Sequence, residues 1–179
     1  MAPERPSDTL RRFFCGLTEQ TFQAQLGVAD PSLIDYLSDM LIRFIRFDAI
    51  YKVRRLSGRP ATEIGEMLQE AEQRIGEARR EVHRHIGDFA LFWAGLYPEA
   101  LRQRTSKGQL DRYGDFCSHG KRAYYIASTI DADESRAASD VLERLSLHFE
   151  MCAYGLREVR REWERREDDP DSPTPILFN

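Results

Sequence analysis

The chain has no surplus of basic charge: 26 Lys and Arg face 30 Asp and Glu, a net charge of −4 with His neutral. A domain that grips a nucleic acid duplex displaces counterions with an excess of cations, so this balance argues against nucleic acid as the main partner. Long apolar runs are missing too. The longest near-continuous one, Phe89 to Tyr97, is far shorter than the roughly 20 residues of a membrane span. The opening Met1-Ala2-Pro3-Glu4-Arg5-Pro6 has no apolar segment of the kind a secretion signal needs. Cysteine is scarce: Cys15, Cys117 and Cys152 are far apart, odd in number and in no C-x-x-C pair. Free thiols in a reducing compartment fit that pattern better than a disulfide framework does. A cytoplasmic protein that does not engage membranes is therefore expected. Lysine is confined to Lys52, Lys107 and Lys121, and codon usage is the simplest account of the arginine preference.

Catalytic signatures are absent as well. No serine sits in a G-x-S-x-G elbow, and there is no H-E-x-x-H. The residues three before the histidines are Arg80, Val82, Phe116 and Leu145, so the Glu-x-x-His of di-metal bundles is missing. No catalytic residue is nominated, no cofactor is named, and the reading leans away from an enzyme.

What is present is helical periodicity. The fold class expected is all-α, a bundle of about four long helices with shorter helices at the N-terminus. Residues 1–167 read as one bundle domain and residues 168–179 as an extended Pro/Asp-rich tail. Ser7 or Asp8 starts a helix that Gly16 ends, and a second runs from Thr18 to Leu26, closed by Gly27. Asp30-Pro31 opens a third helix, capping residue first and proline at its first turn, which continues to about Leu56. Thr62 caps a helix of about 63–97, one of about 109–130 follows, and the last covers about 136–166.

Two patterns stand out within these helices. Ile64-Gly65-Glu66, Ile75-Gly76-Glu77 and Ile86-Gly87-Asp88 recur every eleven residues, about three turns, which would align them along one helix and admit a close neighbour at the glycines. Leu142, Leu145, Phe149, Cys152, Leu156, Val159 and Trp163 alternate by threes and fours, the seam of knobs-into-holes packing. That seam suggests association with a second copy, a homodimer, or with another helical protein. Its interface would use Leu142, Leu145, Phe149, Leu156, Val159 and Trp163. The apolar Ile176-Leu177-Phe178 at the tail could dock on the bundle or on a neighbour.

The alternative function is a metal- or small-ligand-binding bundle built on His85, Asp88, Asp115, His119 and His148. Asp115 and His119 share a helix face at i, i+4, and Asp88 follows His85 at i+3. Converging imidazoles and carboxylates would suit zinc or iron. Three other constellations have plainer readings. The acidic line Glu66, Glu70, Glu77, Glu81 and Asp88, interleaved with Arg74, Arg80 and Arg84, reads as a self-compensating solvated face rather than a cation surface. Lys52, Arg54, Arg55 and Arg59 read as helix-end cations. Phe89, Phe92, Trp93, Tyr97, Tyr113, Tyr124 and Tyr125 read as core, with a pocket for a flat ligand as the alternative.

Overall fold

The computed structural model describes residues 6–45, 63–105, 108–133 and 137–168. Helix α1, Pro6–Gln20, runs past Gly16 without a break, because Gly16 keeps helical geometry. It passes into a π-helical turn, Thr21–Gln25, that ends just before Gly27 at φ 69°. Helix α2, Pro31–Ile45, begins where Asp30-Pro31 predicts. The Asp30 carboxylate accepts a hydrogen bond from the Leu33 backbone N–H at 3.1 Å, satisfying one of the orphan donors of the first turn. The rest of the expected helix to Leu56, the basic cluster of Lys52 to Arg59 and the cap at Thr62 lie outside the described residues, as does Ile176-Leu177-Phe178.

The helix expected over 63–97 is two helices. Helix α3, Ile64–Glu72, and helix α4, Gly76–Leu96, are separated by a bend in which Gly76 adopts φ 54°. The eleven-residue repeat therefore does not form one seam. Ile64 and Ile86 are buried, but Ile75 is 86% exposed at the bend. Its three glycines serve three purposes: Gly65 has open space around it, Gly76 supplies the left-handed backbone, and only Gly87 admits a close neighbour, the Tyr124 ring.

Every residue of α4 from Val82 to Phe92 is buried, which identifies it as the central helix. After α4 a short 3₁₀ turn, Pro98–Leu101, leads into an antiparallel hairpin of β1, Arg102–Thr105, and β2, Gly108–Asp111, registered Arg102 to Asp111. The sequence offers no alternation to announce this hairpin. Helix α5, Tyr113–Ser128, packs along α4. The final helix expected over 136–166 is broken at His148 into α6, Ser139–Leu147, and α7, Phe149–Glu167. The described chain is all-helical in class, with five helices (α1, α2, α4, α5 and α7) of at least 15 residues.

The heptad seam survives the break at His148 but faces inward. Leu142, Leu145, Phe149, Leu156 and Val159 are fully buried and Trp163 is 6% exposed. Phe149 covers Gly120 of α5, Leu156 sits against Gly95 of α4, and Trp163 meets Phe14 of α1 edge-on at 5.3 Å. The seam's partner is thus the chain's own α1, α4 and α5, and the six residues nominated as an intermolecular interface are core. Of the thiols, Cys117 and Cys152 are buried and all three are free; burial pushes Cys152 up to about 12, leaving it inert at neutral pH.

The three repeat glycines respond differently to alanine. Gly87→Ala, whose Cβ would lie 2.6 Å from the Tyr124 ring, is expected to destabilise by about 1–3 kcal/mol through overpacking. Gly76→Ala loses about 1–2 kcal/mol to its left-handed backbone. Gly65→Ala gains up to about 1 kcal/mol of helix propensity. Urea denaturation of the three variants measures this order, and equal effects at all three positions would contradict it.

Candidate functional site

The five residues nominated for a metal centre go to separate places. His85 is buried and stacks on Phe44 of α2 at 5.6 Å. Asp115 is exposed in the first turn of α5, and His119 one turn later is also exposed. His148 is exposed at the break between α6 and α7. Among the described residues no group of three or more His, Cys, Asp or Glu side chains is placed to hold a metal ion.

Asp88 is the centre of a different construction. Its side chain is 1% exposed and accepts four hydrogen bonds. Tyr36 of α2 donates to Oδ1 at 2.6 Å and Tyr124 of α5 at 2.8 Å. Arg43 of α2 and Arg84 of α4 each donate to Oδ2 at 2.9 Å. Arg84 also reaches Glu81, and Arg43 lies 5.6 Å from the Tyr36 ring centroid. Burial first, and then the Asp88 charge, push both phenols well above their ordinary range, so they remain donors at any physiological pH. The carboxylate's lone pairs are occupied on both oxygens, and this saturated cluster is a structural tie rather than a reaction centre. Arg80 is another internal strut. Only 1% exposed, it donates to the carbonyls of Ala127 at 3.1 Å and Ala137 at 2.5 Å, tying the end of α5 to the approach to α6.

The reading of Glu70, Arg80 and Arg84 as a solvated face therefore fails. All three are buried, at 4%, 1% and 7% exposure. Arg80 and Arg84 lie on or beside the enclosed stretch of α4 and bond within the fold, while Glu70, on α3, is buried beside an Arg74 that is 39% exposed.

An unsatisfied polar group lies one helical turn away from this network. His83 of α4 is 4% exposed, yet among the described residues neither ring nitrogen has a hydrogen-bond partner. It lines a cleft of about 200 Å³ between α3, α4 and α5. Arg79 stands one turn before it on the same helix. Arg122 and His119 face it from α5, and Glu72 faces it from the end of α3. Leu68, Ala123 and Ile126 supply an apolar wall. Burial, reinforced by Arg79 and Arg122, holds the His83 imidazole down to about 4. It is therefore neutral near physiological pH, with one nitrogen able to donate and the other to accept. Neither Arg79 nor Arg122 is paired with a carboxylate among the described residues. A buried imidazole without a partner beside two uncommitted guanidiniums is an arrangement suited to an anion.

Of the nominated residues, only His119 belongs to this cleft. His83, Arg79, Arg122 and Glu72 were not singled out as a site; the one available signal was His83 beside an interior stretch of α4. The aromatic run divides as well. Phe92 packs in the core on Phe44, Tyr124 holds Asp88, and Tyr125 is exposed. Phe89, Trp93 and Phe116 line a second, open cavity of about 220 Å³, with Arg112 at its edge.

The depressed His83 makes stability pH-dependent. The unfolded imidazole titrates near 6.5 and the folded one near 4, so between those values only the unfolded chain takes the proton. Stability present above pH 6.5 is expected to fall as pH drops toward 4, by up to about 3 kcal/mol from this one group. Urea midpoints across that range should decline less steeply for His83→Leu than for the wild type; parallel curves would show that His83 is not the group titrating.

Comparison with known proteins finds no family that matches this chain, no similar curated protein and no similar solved structure.

Proposed function

We propose that this helical protein binds a small anionic ligand in the cleft between α3, α4 and α5. The observation that carries the reading is His83, whose two ring nitrogens are buried without partners. An unsatisfied buried polar group costs about 1–3 kcal/mol, and a ligand completing its hydrogen bonds recovers that cost. Arg79 and Arg122 supply the positive field from α4 and α5, two helices that the Asp88 cluster ties together through Tyr124. The site has the polar groups, apolar wall and concavity that small-ligand sites share. No cysteine or serine lines the cleft. Binding, rather than covalent catalysis, is the activity these residues support.

Sulfate is a suitable probe because it carries two charges throughout the working pH range. It is also excluded from protein surfaces and so stabilises folds generally. The informative quantity is therefore the difference between the wild type and Arg79→Gln/Arg122→Gln. At constant ionic strength sulfate should raise the wild-type melting temperature by several degrees more than that of the double variant. Equal shifts in the two proteins would remove the reading.

Self-association is a second reading, and it draws on other residues. With the heptad seam internal, the large apolar side chains left outside among the described residues are Ile75 at 86% exposure, in the bend before α4, and Leu147 at 65%, Tyr125 at 56% and Tyr154 at 52%, on α6, α5 and α7. Under this reading the wild type scatters light as a dimer at high micromolar concentration and Leu147→Asp returns it to a monomer with its helicity intact. A monomeric wild type would end it.

A further inference from the structure

The charge and shape of the His83 cleft say more about its ligand than its sign. Arg79 and Arg122 bring two positive charges, and Glu72 across the cleft offsets one of them. A monoanion is balanced by what remains. A dianion needs one further positive charge, and the one group buried in the cleft that can acquire it is His83. Its two ring nitrogens have no competing partner. The charged and titratable groups facing it are Glu72 from α3, Arg79 from its own helix, and His119 and Arg122 from α5. Burial, with the two guanidiniums adding to it, keeps the imidazole neutral; an anion placed between the guanidiniums supplies a counter-charge and removes their repulsion, and its oxygens accept the new N–H.

The apolar wall of Leu68, Ala123 and Ile126 gives no hydrogen bonds to a free inorganic ion but fits an organic substituent. A phosphate monoester dianion brings the second negative charge that a monocarboxylate lacks, and three terminal oxygens to meet two guanidiniums and an imidazole. We infer that the cleft takes a small phosphate monoester as its dianion, the phosphate between Arg79 and Arg122 and the organic group on Leu68, Ala123 and Ile126. His83 takes one proton from solvent as the ester binds. This rests on the cleft being an anion site.

Calorimetry with defined probes tests both halves on the full chain. Phenyl phosphate should bind about tenfold more tightly than inorganic phosphate, the gain expected from partly covering an apolar ring, and more tightly than benzoate. Equal affinity for inorganic phosphate would make the ion itself the ligand and overturn the ester assignment, and a preference for benzoate would overturn the phosphate class. For the proton, sulfate is titrated near pH 5.5 in two buffers of different ionisation enthalpy, since sulfate does not itself titrate there. The wild type should take up a substantial fraction of a proton per sulfate, and His83→Gln, retaining both arginines, should bind with no uptake. Binding without uptake in the wild type overturns the role of His83, as does undiminished uptake in His83→Gln. If none of the probes binds, the anion-site reading itself fails, an outcome distinct from binding with the wrong preference or the wrong proton count.

Discussion

The Asp88 carboxylate is the constraint on which the arrangement of helices depends. It sits at the middle of the central helix and is held by Tyr36 and Arg43 from α2, Arg84 from α4 and Tyr124 from α5. Helix packing through apolar side chains alone tolerates small rotations and slides, since dispersion is non-directional. Four hydrogen bonds on one carboxylate do not: each fixes a direction and a distance on a different part of the core. Placing this charge out of water costs several kcal/mol, and the removal of any one partner exposes part of that cost. The cluster contributes registry more than stability. It also explains Gly87, because a side chain there would displace the Tyr124 ring and with it one of the four bonds.

Helix existence and type were legible in the sequence, because periodicity over ten or more residues reports which face is buried. The apolar seam of α6 and α7 follows from that signal and the start of α2 from the capping pair Asp30-Pro31, whereas the central position of α4 does not. Nor do the breaks. Residues 73–75 and His148 interrupt helices without proline, and the apolar spacing continues across both, so nothing in the local pattern marks them. The seam illustrates a second limit. Leu142 to Trp163 signals that a partner helix is needed, but periodicity is blind to whether that helix lies in the same chain. Here Gly95, Gly120 and Phe14 provide it.

The candidate site was the least legible part, for a related reason. Spacing within one helix relates His85 to Asp88 and Asp115 to His119, but which helix faces meet is decided by helices far apart in sequence. Asp88 meets residues 36 to 52 positions away. His83 meets Arg122 and His119 only because α5 returns alongside α4. Arg80 and Arg84 were misread because arginine and glutamate at i, i+3 and i, i+4 look alike on a solvated face and on a buried one. Only the enclosure of α4 separates the two.

The two polar centres of α4 lie little more than one turn apart and contrast in satisfaction. Asp88 has a donor for each available direction and leaves no vacancy for a substrate, so its burial and charge, which alone would suggest chemistry, belong to architecture. His83 is buried to a similar degree and has no hydrogen-bond partner among the described residues. Burying an imidazole in that condition is unfavourable for folding, and below pH 6.5 burial and the guanidiniums of Arg79 and Arg122 add to the penalty by opposing its protonation. Neither arginine is needed for the core, as both are exposed. A fold that satisfies a buried carboxylate four times over on the same helix has the means to satisfy a histidine. That the imidazole instead faces a cleft with two uncommitted cations points to a group supplied from outside, and the same register that Asp88 imposes on α4 and α5 keeps the cleft open to receive it.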